Sequence, residues 1–235
     1  MRKIGGIHTF EDQAFLRSAS RMSAGVLVLG VLAGAAWFAG VSALAAHTGT
    51  RLFPFELQAV LGGVGARIMG AREGLDAAPD IVWWLSFAAA VAASLLLHEL
   101  VHAFFFKQFA PPGAAVALGA NWRLGMLYAS AEGIVYTRQQ YLIIAVAPSV
   151  AVTLLLVAVG IGLKWPLWTI VAVTVHLAGC TGDWGYIRAI RRDASITHCE
   201  DTSWGVAFYG DDAAAPAAGL AAQEGFSVVD GGKSA

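Results

Sequence analysis

The sequence predicts an all-α membrane protein with about four transmembrane helices and a small β-hairpin between spans two and three. Three observations predict it. The 235 residues are 57% hydrophobic and only 13% charged, with a mean hydropathy of +0.64, well beyond an ordinary soluble domain. Four apolar runs approach the ~20 residues that a helix needs to cross a bilayer. The basic residues also fall unevenly between the loops that join those runs.

Residues 1–22 are mostly polar and read as a cytoplasmic N-terminal segment, because a cleaved leader runs from a short basic stretch directly into its apolar core. The first run, residues 23–46, is uncharged and rich in Gly and Ala and is expected to be retained as a span. Within residues 53–69, Leu57, Val60, Leu61, Val64 and Ile68 recur at helical spacing, which predicts a short interfacial helix. The second run begins at Ile81, stays uncharged to Leu97 and continues through Phe106. Val116, Leu118, Leu124, Met126 and Tyr128 then alternate with small or polar residues around Ala120-Asn121, the pattern of a hairpin.

The third run, residues 141–163, contains Ala147-Pro148, where proline removes an intrahelical hydrogen bond. The fourth starts near Trp165 and runs through His176 and Cys180 to Asp183, and Arg188, Arg191 and Arg192 mark its end. A membrane domain therefore spans 23–190, and 191–235 is a cytoplasmic tail, Ala-, Gly- and Asp-rich and expected to be disordered from about 211. Four spans with both termini inside leave Arg51, Arg67, Arg72 and Lys164 outside and every other basic residue in the cytoplasm. That bias fits the inner membrane of a prokaryote. A net charge of -1 offers no face for neutralising phosphates and excludes nucleic acid as a partner. Cys180 and Cys199 are too few for a disulfide framework and are expected to be free thiols.

The chemistry concentrates in His98-Glu99-Leu100-Val101-His102, an H-E-x-x-H pattern within the second span. Residues four apart share a helix face, so both imidazoles can reach one Zn²⁺ and Glu99 lies beside it, placed to act as a base toward water. Three ionisable groups in five positions near the edge of a hydrocarbon layer are costly unless they face a protein interior or a water cavity. The bland alternative has the histidines snorkelling at the interface and Glu99 paired with Lys107 or Arg138. A catalytic zinc takes three protein ligands, and the third is sought in the fourth run. Asp183 is the first choice, His176 two turns earlier is the alternative or an outer partner, and Cys180 and Glu132 follow. Glu132 with Ser130 reads as a solvated turn, and His198-Cys199-Glu200-Asp201 as an exposed loop.

Residues 97–106, Tyr128-Ala129-Ser130, Arg138 to Tyr141, Ala147-Pro148 and Gly182-Asp183 together resemble a family of membrane proteins described as zincin peptidases, over about 81–190. More distantly the chain resembles the site-2 protease group of intramembrane metalloproteases. That resemblance implies His98 and His102 as metal ligands, Glu99 as base and Asp183 as third ligand. It departs from the site-2 pattern in lacking an Asn/Pro-containing Asp-Gly segment, so oxyanion stabilisation is unassigned. The expected activity is zinc-dependent hydrolysis of a peptide bond in a membrane-embedded or juxtamembrane substrate. The competing expectation is a non-catalytic membrane module with a structural or sensory metal.

Overall fold

A computed structural model describes residues 1–49, 56, 78–121 and 126–211. Most of the expected interfacial helix and the tail beyond 211 lie outside the described residues. The described chain is mainly helical: α1 (Gln13–Thr48), α2 (Ala78–Phe109), α3 (Arg138–Leu163), α4 (Pro166–Gly179) and α5 (Thr181–Arg192). Its strands are β1 (Arg2–His8), β2 (Ala117–Asn121), β3 (Met126–Ser130), β4 (Val135–Thr137), β5 (His198–Thr202) and β6 (Gly205–Gly210).

Three of these helices, α1, α3 and residues 81–109 of α2, are long and apolar enough to cross a membrane. The fourth apolar run does not form one continuous span. It is divided at Cys180 into α4, with 14 residues, and the polar α5, with 12. The all-α expectation also needs correction, since β1, β6, β5 and β4 form a four-stranded antiparallel sheet in that order. The N-terminal segment and the start of the tail are thus structured, Arg2–His8 pairing along Gly205–Gly210. A separate two-stranded sheet pairs β2 with β3, from Ala117↔Ser130 to Asn121↔Met126.

The chain divides into two compact units. The first comprises 1–23, 96–151 and 179–235 and contains every strand and α5. Its core gathers Ile7, Phe15, Phe106, Tyr136, Tyr141, Ile144, Ile190, Ile196, Cys199, Val206 and Phe208. Local chemistry sets the element ends here. The Asp12 carboxylate accepts from the amides of Ala14 and Phe15, both at 2.9 Å, and starts α1. Thr137 and Gln140 form a reciprocal capping box at the start of α3. The Tyr136 hydroxyl donates to the Phe106 carbonyl near the end of α2, a carbonyl that also accepts from the Ala110 amide at 3.0 Å. Arg138 donates from one guanidinium nitrogen to the carbonyls of Asp193 and Ile196, at 2.7 and 2.8 Å, which holds the approach to β5 against the start of α3. Gly185 lets α5 approach α1, for a Cβ there would lie 2.6 Å from the Phe15 ring.

The second unit comprises 24–95 and 152–178. Its helical surface is apolar, with Leu29 66% and Val31 and Ile161 each 71% exposed, as lipid-facing positions should be. Its interior is held by small-residue notches. A Cβ on Gly160 would fall 1.6 Å from the Thr169 hydroxyl and one on Gly30 2.2 Å from the Thr174 side chain. Glu56 is fully buried there. Its carboxylate accepts from Trp168 N at 2.7 Å, Leu167 N at 3.0 Å and Trp83 Nε1 at 3.3 Å, capping the first turn of α4.

Candidate metal centre

The centre lies in the first unit, on three of its elements. α2 carries His98, Glu99 and His102, and the four-residue interval puts the two imidazoles on one face edge to face, their centroids 4.8 Å apart and their planes at 75°. Asp183 stands in the first turn of α5, where an acidic side chain is favoured by the partial positive charge of the helix start. Trp184 fixes that turn by donating from its indole nitrogen to Ser149 Oγ on α3 at 2.9 Å. The strand β3 reaches the site through its backbone: Ala129 N–H donates to Glu99 Oε2 at 2.8 Å.

The three polar tips converge. His98 Nε2 stands 3.1 Å from His102 Nε2 and 3.1 Å from Asp183 Oδ2, and His102 Nε2 is 3.5 Å from Asp183 Oδ1. Ligand atoms bonded to a tetrahedral zinc at about 2.0–2.1 Å stand about 3.3 Å from one another, and the observed separations bracket that value. The donor set of two imidazole nitrogens and one carboxylate oxygen is a zinc set, and these residues fit a zinc ion. Glu99 is left out of the triangle and is held by Ala129 instead.

Residues 91–196 match the family model described as "Putative zincin peptidase". The zincin match covers just under half of the chain and contains His98, Glu99, His102, Ala129 and Asp183. Neither a curated protein nor a solved structure matches the chain.

The other residues singled out in the sequence are placed as follows. His176 is buried in α4, on the second unit, and the triangle is complete without it. Cys180 and Cys199 are both buried thiols outside any disulfide among the described residues, and Cys180 Sγ lies 3.7 Å from His98 Nδ1. Glu132 is exposed in the zincin region and accepts from Ser203 Oγ at 3.3 Å.

The segment His198-Cys199-Glu200-Asp201 is not an exposed loop. It is strand β5, paired on both sides, with Cys199 fully buried. Asp201 lies two residues on and therefore on the same strand face. Its carboxylate takes the amide of Ala131 and stands 3.5 Å from the Tyr141 hydroxyl. Burial raises the Asp201 carboxyl to about 7, against the opposing pull of the His102 charge and the Ala131 amide and with the help of the Glu99 charge. Sequence reasoning passed over Asp201, although an alternating stretch, a Ser-Trp-Gly turn and a second β-rich stretch at 198–210 give a hairpin signal.

Proposed function

We propose that this protein is a zinc-dependent membrane metallopeptidase that hydrolyses a peptide bond in a membrane-embedded or juxtamembrane protein substrate. The observation that carries the proposal is the triangle of His98, His102 and Asp183 with Glu99 beside it, within a region matching zincin peptidases. His98 and His102 through Nε2, with one Asp183 oxygen, would hold the ion. When bound, zinc supplies a Lewis acid that polarises the scissile carbonyl and acidifies water. Glu99 takes a proton from the attacking water as its oxygen bonds to the carbonyl carbon, and returns a proton to the amine nitrogen as the C–N bond breaks. The Ala129 amide holds the Glu99 carboxylate in place between these transfers.

The same amide lies on β3, whose only paired neighbour among the described strands is β2. An extended substrate adding to that second edge would bring its peptide bonds past Glu99, and strand addition would present a bond that helical structure hides.

Topology supports the four-span reading. The strands β1, β4, β5 and β6 belong to one sheet and so share one side of the membrane. Between β4 and β5, α3 crosses once and the chain must return. The return falls to α4, whose 14 residues at 1.5 Å each make about 21 Å, short of the ~30 Å hydrocarbon layer, with α5 following it in the chain. Arg2, Lys3, Arg138, Arg188, Arg191 and Arg192 all fall at the sheet side, which we read as the cytoplasmic face of a prokaryotic inner membrane.

Metal content of detergent-purified protein tests the reading. About one zinc per chain is expected, lost in His98→Ala, His102→Ala and Asp183→Ala and retained in His176→Ala and Glu99→Gln. Wild-type protein purified without chelators that carries no zinc would overturn it.

A further inference from the structure

Two imidazoles that offer Nε2 to a metal must carry their remaining proton on Nδ1, and a ligating histidine nearly always gives that proton to a carboxylate, a carbonyl or water. The outer nitrogens of this pair are not equivalent. His98 Nδ1 has the Cys180 sulfur at 3.7 Å. His102 Nδ1 is buried and has no hydrogen-bond partner among the described residues. A buried ring nitrogen left unpaired is costly, and it sits on the more buried of the two histidines.

Three carboxylates act electrostatically on His102: Asp183, Glu99 and Asp201. Asp183 is engaged at the Nε2 atoms and Glu99 by the Ala129 amide. Asp201 is therefore the one of the three not already committed to the metal-facing side. It is also built in rather than loose at the surface. Its strand is paired on both edges, the approach to that strand is tied to Arg138, and the carboxylate is gripped by the Ala131 amide and faces the hydroxyl of the buried Tyr141. Tyr141 in turn packs near Phe106, the residue one helical turn beyond His102.

We infer that Asp201 is a positioning residue of this site, accepting the Nδ1 proton of His102 across one water, and so fixing the tautomer that leaves Nε2 free for zinc. Tyr141 and the Ala131 amide aim the carboxylate. The inference rests on the zinc reading proposed above. It also assigns a role to the hairpin β5–β6, which lies beyond the zincin match at 91–196. The negative charge on Asp201 makes His102 a stronger ligand, so its loss is felt in metal affinity before any turnover is measured.

The experiment is zinc affinity of the full-length protein in detergent, by competition with a chromophoric chelator, for wild type, Asp201→Asn, Asp201→Ala and Glu200→Gln. Removing such an outer partner typically weakens metal binding about 10–100-fold. Asp201→Ala is expected within that range, Asp201→Asn at its lower end, and Glu200→Gln, on the same strand, at the wild-type value. Asp201→Asn preserves shape and carries the test if the alanine variant does not fold. In metal-free protein with ¹⁵N-labelled histidine, the His102 Nδ1–H resonance should shift in Asp201→Asn and stay in Glu200→Gln. Wild-type zinc affinity in a folded Asp201→Asn protein with an unmoved His102 resonance overturns the inference and leaves the zinc site standing. Wild-type protein that binds no zinc overturns both.

Discussion

The two compact units handle polar groups in opposite ways. The second unit exposes Leu29, Val31, Leu85 and Ile161 broadly, and its buried carboxylate, Glu56, is met by three donors. The first unit brings His98, Glu99, His102, Asp183 and Asp201 into one region. The difference is one of available partners. A transmembrane helix consumes its own amides and carbonyls, so an ionisable side chain on it finds little company in hydrocarbon. Strands and turns leave amides free to point at carboxylates, as Ala129 does at Glu99, Gly133 at Glu200 and Ala131 at Asp201. Chemistry gathers where backbone donors are spare.

Substitutions in each unit test that contrast. The largest effect is expected at Glu99. Glu99→Gln should lower peptide hydrolysis by about 10²–10⁴-fold, the usual worth of a general base, while zinc content and thermal midpoint stay at wild-type values. In the second unit the same kind of substitution should do the reverse. Glu56→Ala strands the indole of Trp83 and two amides of α4, and a loss of about 2–4 kcal/mol is expected in denaturant titrations, with zinc bound per folded molecule unchanged. If Glu56→Ala abolished zinc binding in folded protein, the division of labour would be wrong.

Gly160→Val is expected to cost about 1–3 kcal/mol, because the added carbon has only the space occupied by Thr169, and Thr169→Ala in the same chain should recover part of it. The smallest effect concerns pH. The folded-state carboxyl of Asp201 is raised to about 7 from an ordinary value near 4, so the metal-free folded protein binds the extra proton over that window. The stabilising contribution is complete below pH ~4 and is lost as pH rises through about 7. Metal-free Asp201→Asn should therefore show a flatter thermal midpoint between pH 5 and 8 than wild type.

What could be read from the chain without coordinates follows the range of each signal. The meeting of His98 and His102 is written in a four-residue interval, because one helix makes both ends of the contact. The long apolar runs likewise declare themselves by composition. Asp183 was reachable through its place at the end of the fourth run, although its approach to His98 and His102 depends on how α5 packs against α3 through Trp184 and Ser149. The four-stranded sheet was missed because its pairings join Arg2–His8 to Gly205–Gly210 and Val135–Thr137 to His198–Thr202, and such distant registers leave only a period of two in each strand. Reading 198–201 as a loop then hid Asp201. The split at Cys180 was missed because composition reports apolar length and does not report where one helix ends and the next begins.

The pairing of β1 with β6 also has a bearing on the order of assembly. β1 precedes every described helix in the order of synthesis, and its partner emerges only after all of them have been made. Contacts between segments so distant form late, after loop closure has been met by other elements. Asp183 and β5 belong to the same late stretch. A nascent chain therefore carries His98 and His102 through membrane insertion without the residues that would complete their surroundings, and the centre comes together only once the helices are already in place.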